Sequence, residues 1–153
     1  TPEEEQVDMR TGHLRFNIPL LAGRLTGATE WLCGQPQAGE LPVGYFGAST
    51  GAAAALVAAA RQPEHIAAVV SRGGRPDLAA EALPGVQAPT LLIVGGRDEP
   101  VIGMNREAMR QMHAEEKLEI VPGATHLFEE PGALEQVAQL AADWFRRHVG
   151  EPP

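Results

Sequence analysis

The sequence predicts an α/β fold: a parallel sheet of about four strands flanked by helices. Three observations carry that expectation. Apolar runs of strand length, such as Ile66-Ala67-Ala68-Val69-Val70 and Thr90-Leu91-Leu92-Ile93-Val94, alternate with segments of helical period. Each run ends in glycines and polar residues that break the pattern. Strand–helix alternation in turn requires right-handed crossovers between parallel strands, and such sheets carry function in the loops leaving the carboxyl ends of their strands.

Taken in order, residues 1–16 read as a leader or loop, 17–149 as the α/β domain, and 150–153 as a tail. Asn17-Ile18-Pro19 opens a helix, because Asn caps well and Pro is tolerated in a first turn. Leu21, Leu25, Ala28 and Leu32 give that helix an apolar face. Gly34-Gln35-Pro36 stops it, and Trp31 and Cys33 are expected to be packing residues. Leu41 to Phe46 is a buried strand, Gly47-Ala48-Ser49-Thr50-Gly51 a tight turn, and Ala52 to about Arg61 a helix whose small side chains allow close approach to the sheet. Ile66–Ser71 is the second strand, Arg72–Pro76 a loop, and Asp77–Leu83 a short helix. Pro89–Val94 is the third strand, ending in Gly95-Gly96-Arg97-Asp98. Met104, Ala108 and Met112 mark the next helix. Lys117–Val121 is the fourth strand, running into Pro122-Gly123-Ala124-Thr125-His126. Leu134, Val137, Ala138, Ala141, Trp144 and Phe145 are the expected buried face of the last helix.

Composition narrows the function classes. At 153 residues and 16.3 kDa the chain is one domain with room for a core. A formal charge of −8 argues against nucleic acid or an anionic membrane surface as partner, and no apolar run approaches the length of a membrane span. The single cysteine, Cys33, can close no internal disulfide, which makes the cytosol the expected compartment. Residue 1 is Thr, and the acidic start lacks signal-peptide character.

The chemistry centres on Gly47-Ala48-Ser49-Thr50-Gly51. Between a strand and a helix, G-x-S-x-G is the pattern of a turn that holds a serine hydroxyl out at the strand end. Glycines two before and two after Ser49 remove Cβ atoms expected to collide there. The Thr50 amide, in the first turn of the helix, points at whatever Ser49 attacks. The turn is not G-x-G-x-x-G, and the chain's only lysine, Lys117, lies far downstream, so a P-loop is excluded.

A serine needs a base, and a base needs an orienting acid. Of the two serines, Ser71 lacks such a turn. His13 lies in the leader, His65 at the wrong end of a strand, and His113 and His148 near the ends of polar helix faces with solvated roles. His126 alone follows the last strand in a loop of small residues. Asp98, directly after Gly-Gly-Arg, is the favoured acid, with Glu99 as its alternative; Asp77 and Asp143 read as helix-surface residues and Arg75 as a surface arginine that could meet an anionic substrate. Ser49, Asp98 and His126 each follow a strand end and should converge on one edge of the sheet. No clustered Cys/His ligand set is present, and no metal or organic cofactor is needed.

Gly-Ala-Ser-Thr-Gly at 47–51, Gly-Gly-Arg-Asp at 95–98 and Gly-Ala-Thr-His-Leu-Phe at 123–128 together make the run from Leu41 to His148 resemble the carboxyl-terminal half of an α/β hydrolase of the dienelactone-hydrolase-like group. Ser-Arg-Gly-Gly-Arg-Pro-Asp at 71–77 resembles a branch that also occurs fused to phosphoribosyltransferase domains. The resemblance implies Ser49 as nucleophile, His126 as base, Asp98 as its orienting acid and the Thr50 amide as half of an oxyanion hole. Dienelactone hydrolases carry cysteine at the nucleophile position; serine implies ester, lactone or thioester chemistry on a small-molecule acyl substrate. The family fold has about eight strands, with the turn after the fifth, so the resemblance also implies a chain truncated at its amino terminus. The upstream half would be missing or supplied by another chain, the first strand would be an open edge, and a homo-oligomer is possible. The rival expectations are a non-catalytic docking module and a phosphate binder at the Thr50 helix start.

Overall fold

The computed structural model describes residues 1–150, so residues 151–153 of the expected tail lie outside the described residues. It has four parallel strands in the order β1 (Val43–Ala48), β2 (Ile66–Arg72), β3 (Thr90–Gly95) and β4 (Glu116–Val121). Every strand lies beside its predecessor in sequence, and β1 and β4 form the two edges. Tyr45 pairs with Val69, Val70 with Leu91 and Leu92 with Leu118. All of β3 is buried, as expected of a strand covered on both faces.

One correction comes at the amino terminus. The expected loop at 1–16 is largely the helix α1 (Pro2–Thr11), followed by a 3-10 turn at Leu14–Phe16. Its cause is local. The Thr1 hydroxyl accepts from the Glu4 amide at 3.3 Å, Glu4 reaches back to the Thr1 amine, and Pro2 occupies the first helical position. Gly12, at φ 66, ends the helix, and Asp8 accepts from the amides of Leu14 and Arg15. None of its residues is buried, so hydrophobic periodicity left no trace of it.

Helix α2 (Ile18–Cys33) starts where expected, with Asn17 Oδ1 accepting from the Leu20 amide. Its buried face is Ile18, Ala22 and Thr29, with Leu21 and Leu25 at the margin and Ala28 exposed. Trp31 is 67% exposed rather than packed. Thr29 earns its burial by meeting the Tyr45 hydroxyl at 2.6 Å, which ties α2 to the edge strand. Helix α3 (Thr50–Arg61) lies beside α2 on the same face, its Ala52 to Ala55 stripe fully buried against the sheet. A 3-10 helix at Pro76–Gly85 and helix α4 (Glu99–Met109) complete that layer. The buried face of α4 is Val101, Ile102, Asn105 and Ala108; Met104 is only half-buried.

The opposite face is covered by α5 (Ala133–His148), which packs Val137, Ala141 and Trp144 on Val70, Leu91 and Ile93. Two expected members of its face are corrected: Leu134 is 50% exposed and Ala138 is also exposed. His148 is not solvated either. Its ring packs at a tilt against Trp144, the centroids 4.3 Å apart, and its buried Nε2 makes no hydrogen bond, with Glu115 Oε1 3.9 Å away. Phe145 lies across Gly44 of β1, where an added Cβ would come within 2.7 Å of its ring.

Candidate active site

The turn after β1 passes directly from strand to helix at Ser49. Ser49 has φ 50 and ψ −120, a backbone conformation that costs a non-glycine residue about 1–3 kcal/mol. Neighbouring elements hold it there. The Ser49 amide donates to Arg72 O at 3.2 Å, and Ser49 O accepts from the amides of Ala52 at 3.1 Å and Arg75 at 3.2 Å. A Cβ on Gly47 would sit 2.5 Å from Gly51 O and 2.6 Å from Ala52 Cα, backbone atoms that cannot yield. At Gly51 an added Cβ meets nothing within 4 Å, so the steric requirement applies before the serine and not after it. Thr50 opens α3, and the helix supplies no acceptor for its amide.

Asp98 and His126 meet directly. His126 Nδ1 lies 2.6 Å from Asp98 Oδ2, with Asp98 largely buried and the imidazole partly open. Glu99, the alternative acid, is exposed in the first turn of α4. The two loops that carry the pair are zipped together: the Gly96 amide donates to Val121 O at 2.8 Å and the Arg97 amide to Ala124 O at 2.9 Å. Gly95 permits this, since a Cβ there would lie 2.5 Å from both Ala124 O and Thr125 O.

The loop after β2 bridges the halves of the site. Gly73, at φ 51, brings its backbone so close to His126 that a Cβ would stand 3.2 Å from His126 O and 3.5 Å from Cε1. Two residues on, Arg75 holds Ser49 through the amide bond just described. Ser49, Asp98 and His126 thus sit in loops that leave the carboxyl ends of the strands, at one end of the sheet. Among the described residues no hydrogen bond joins Ser49 Oγ to His126; such contacts often tighten only when substrate is bound.

Three contributors escaped the sequence reading. Glu130 accepts from the Thr125 amide through both carboxylate oxygens, at 3.1 and 3.0 Å. Hydrogen bonding from the Thr125 side chain, and then from its amide, holds the Glu130 carboxyl below the usual carboxylate range. The Arg72 guanidinium lies 5.6 Å from the centre of the buried Phe128 ring and reaches Leu127 O at 3.4 Å. Asn105 donates to Gly74 O. Arg75, expected at the surface, is clamped by Asp77 through two bonds of 2.8 and 2.7 Å, and that guanidinium lowers the Asp77 carboxyl's pKa.

A groove of about 590 Å³ lies elsewhere, between the start of α2, the last turn of α3 and the 3-10 helix, lined by Ile18, Val57, Ala60, Arg61 and Leu78. Ser49, Asp98 and His126 are not among the residues that line it. Among the described residues no group of three His, Cys, Asp or Glu side chains could hold a metal ion, and no helix is long and apolar enough to cross a membrane.

Residues 5–149 match the Dienelactone hydrolase family. A dienelactone hydrolase from Anabaena variabilis is 64% identical and superposes with a TM-score of 0.95 over 97% of this chain and 69% of that one. The esterase domain of a Rhodothermus marinus protein is 19% identical with a TM-score of 0.71, over 84% of this chain and 70% of that one, a likeness of fold. A Mycobacterium tuberculosis protein named for a phosphoribosyl transferase is 59% identical over 152 residues, 99% of this chain. The chain spans 33% of that relative's length.

Proposed function

The chain belongs to the dienelactone hydrolase family, and on that footing we propose that it is a serine hydrolase acting on a small ester, lactone or thioester. Family and structural neighbours support a hydrolase. One observation carries the serine mechanism: a strained Ser49 at a strand–helix turn shares one end of the sheet with a 2.6 Å His126–Asp98 pair. In the proposed reaction Ser49 Oγ attacks the acyl carbonyl while His126 Nε2 takes the hydroxyl proton. Asp98 accepts from Nδ1–H, fixing the tautomer and stabilising the imidazolium. The negative oxygen of the tetrahedral adduct faces the Thr50 amide, at the positive end of α3. His126 returns the proton to the leaving group; water then adds to the acyl-enzyme by the same route and frees Ser49. No cofactor enters these steps.

The test is labelling with a fluorophosphonate probe. Wild-type protein should be labelled at one site, and Ser49→Ala should lose the label while melting as wild type does. Labelling that persists in Ser49→Ala would sink the assignment. Silence from folded wild-type protein would favour the rival, a non-catalytic module docked beside a phosphoribosyltransferase domain such as the one named in the Mycobacterium tuberculosis relative. The exposed Phe46 on the β1 edge is the feature that favours this second reading. A reducing, cytoplasmic setting suits the lone Cys33 under either reading.

A further inference from the structure

From the packing behind the site we infer that Asn105 is a positioning residue: through Gly74 it fixes the three-residue loop that braces both the nucleophile and the base. This rests on the serine-hydrolase reading. Asn105 stands on the buried face of α4 among Val101, Ile102 and Ala108, fully excluded from solvent. A leucine would fill that face without desolvating an amide, so packing does not explain an asparagine. The use of its Nδ2 does: it donates to Val101 O at 2.8 Å, one turn back, and to Gly74 O at 3.1 Å, 31 residues away.

Gly74 has little freedom of its own. A Cβ there would lie 2.0 Å from Ser71 Oγ and 2.8 Å from the Ala52 Cβ, so its backbone is pressed between the end of β2 and the first turn of α3. On one side Gly73 abuts His126; on the other the Arg75 amide donates to Ser49 O. The middle carbonyl of this brace hangs on Asn105. Ser71 Oγ and Asn105 Oδ1 are both buried without a partner beside it. An unpaired polar atom in a core calls for an explanation, and for Asn105 the use of its Nδ2 supplies one.

The experiment compares wild type with Asn105→Ala and with Asn105→Leu, which fills the same face and removes the donor. Fluorophosphonate inactivation is resolved into a binding constant and an inactivation rate constant, and amide exchange is read at Arg75, which bonds to Ser49, and at Gly96, in the loop after β3. Expected is a fall of about tenfold in the inactivation rate constant with binding changed by less than about twofold. Exchange should quicken at Arg75 while Gly96 keeps its protection. An unchanged rate constant in a folded variant overturns the inference, as does equal loss of protection at Arg75 and Gly96, the mark of general destabilisation. Wild-type protein that never reacts with the probe overturns the hydrolase reading instead; the Arg75–Gly96 comparison then still decides whether Asn105 holds the loop. Should Asn105→Ala fail to fold, Asn105→Leu gives the same readings.

Discussion

At Ser49 a backbone of φ 50 and ψ −120 is held by three amide bonds from β2, α3 and the Gly73–Arg75 loop. Glycine adopts that conformation freely, so Ser49→Gly should raise stability by about 1 kcal/mol while abolishing probe labelling. Opposite signs in a melting curve and a labelling assay would identify strain kept for chemistry; a loss in both would refute it. Asp98→Asn tests the other partner. It preserves shape but offers Nδ1–H of His126 an amide in place of a carboxylate, and the hydrolysis rate should fall by about a thousandfold or more with the fold unchanged. These three residues were legible in sequence because each follows a strand, and parallel strands bring their carboxyl ends together. Asn105 and Glu130 were not. Their partners are backbone atoms, Gly74 O and the Thr125 amide, and no residue-type pattern announces a bond to a peptide group.

The elements repeat that division. Strand and helix order was readable throughout β1 to α5, since apolar runs and amphipathic periods are dictated by two-sided and one-sided burial. Which side chains face inward was less so. Leu134 and Trp31 are large and apolar, yet both are exposed: α5 rests on the sheet through Val137, Ala141 and Trp144, and α2 packs through Ile18, Ala22 and Thr29. Both lie in helices whose apolar residues spread beyond the buried stripe, and periodicity alone does not say where that stripe ends. The turn glycines give a sharper test. Gly47→Ala should cost about 3 kcal/mol and abolish labelling, because the Cβ meets the backbone of Gly51 and Ala52; Gly51→Ala should be tolerated, as its Cβ meets nothing. The loop carrying His126 has its own pH dependence. The folded-state pKa of Glu130 is depressed below its usual value of 4.5. Its contribution is therefore complete above about pH 4.5 and lost as pH falls through the lower folded value. Protection of the Thr125 amide, taken relative to its intrinsic exchange rate at each pH, should fall on acidification through that window, and Glu130→Gln should remove the dependence.

For the whole molecule, the sheet's two faces are unequally covered. Helices α2, α3 and α4 and the 3-10 helix line one, and α5 alone lines the other. At the β1 edge this leaves Phe46 51% exposed beside a row of backbone groups with no neighbouring strand. Such an edge favours self-association, so Phe46→Thr should lower the apparent mass measured by light scattering at high protein concentration. An unchanged mass would locate any association elsewhere.

The strictly sequential strand order bears on how the molecule comes into being. Synthesis delivers α2 ahead of β1, the Ser49 turn and α3, and then β2, β3 and β4, each able to settle against the strand already made. Helix α5, which follows β4, returns to β1 and lays Phe145 across Gly44. A nascent chain halted before residue 126 would hold Ser49 and Asp98 without His126, and under the proposed mechanism it would have no base. On that reading the proposed machinery stays idle until the loop carrying His126 emerges.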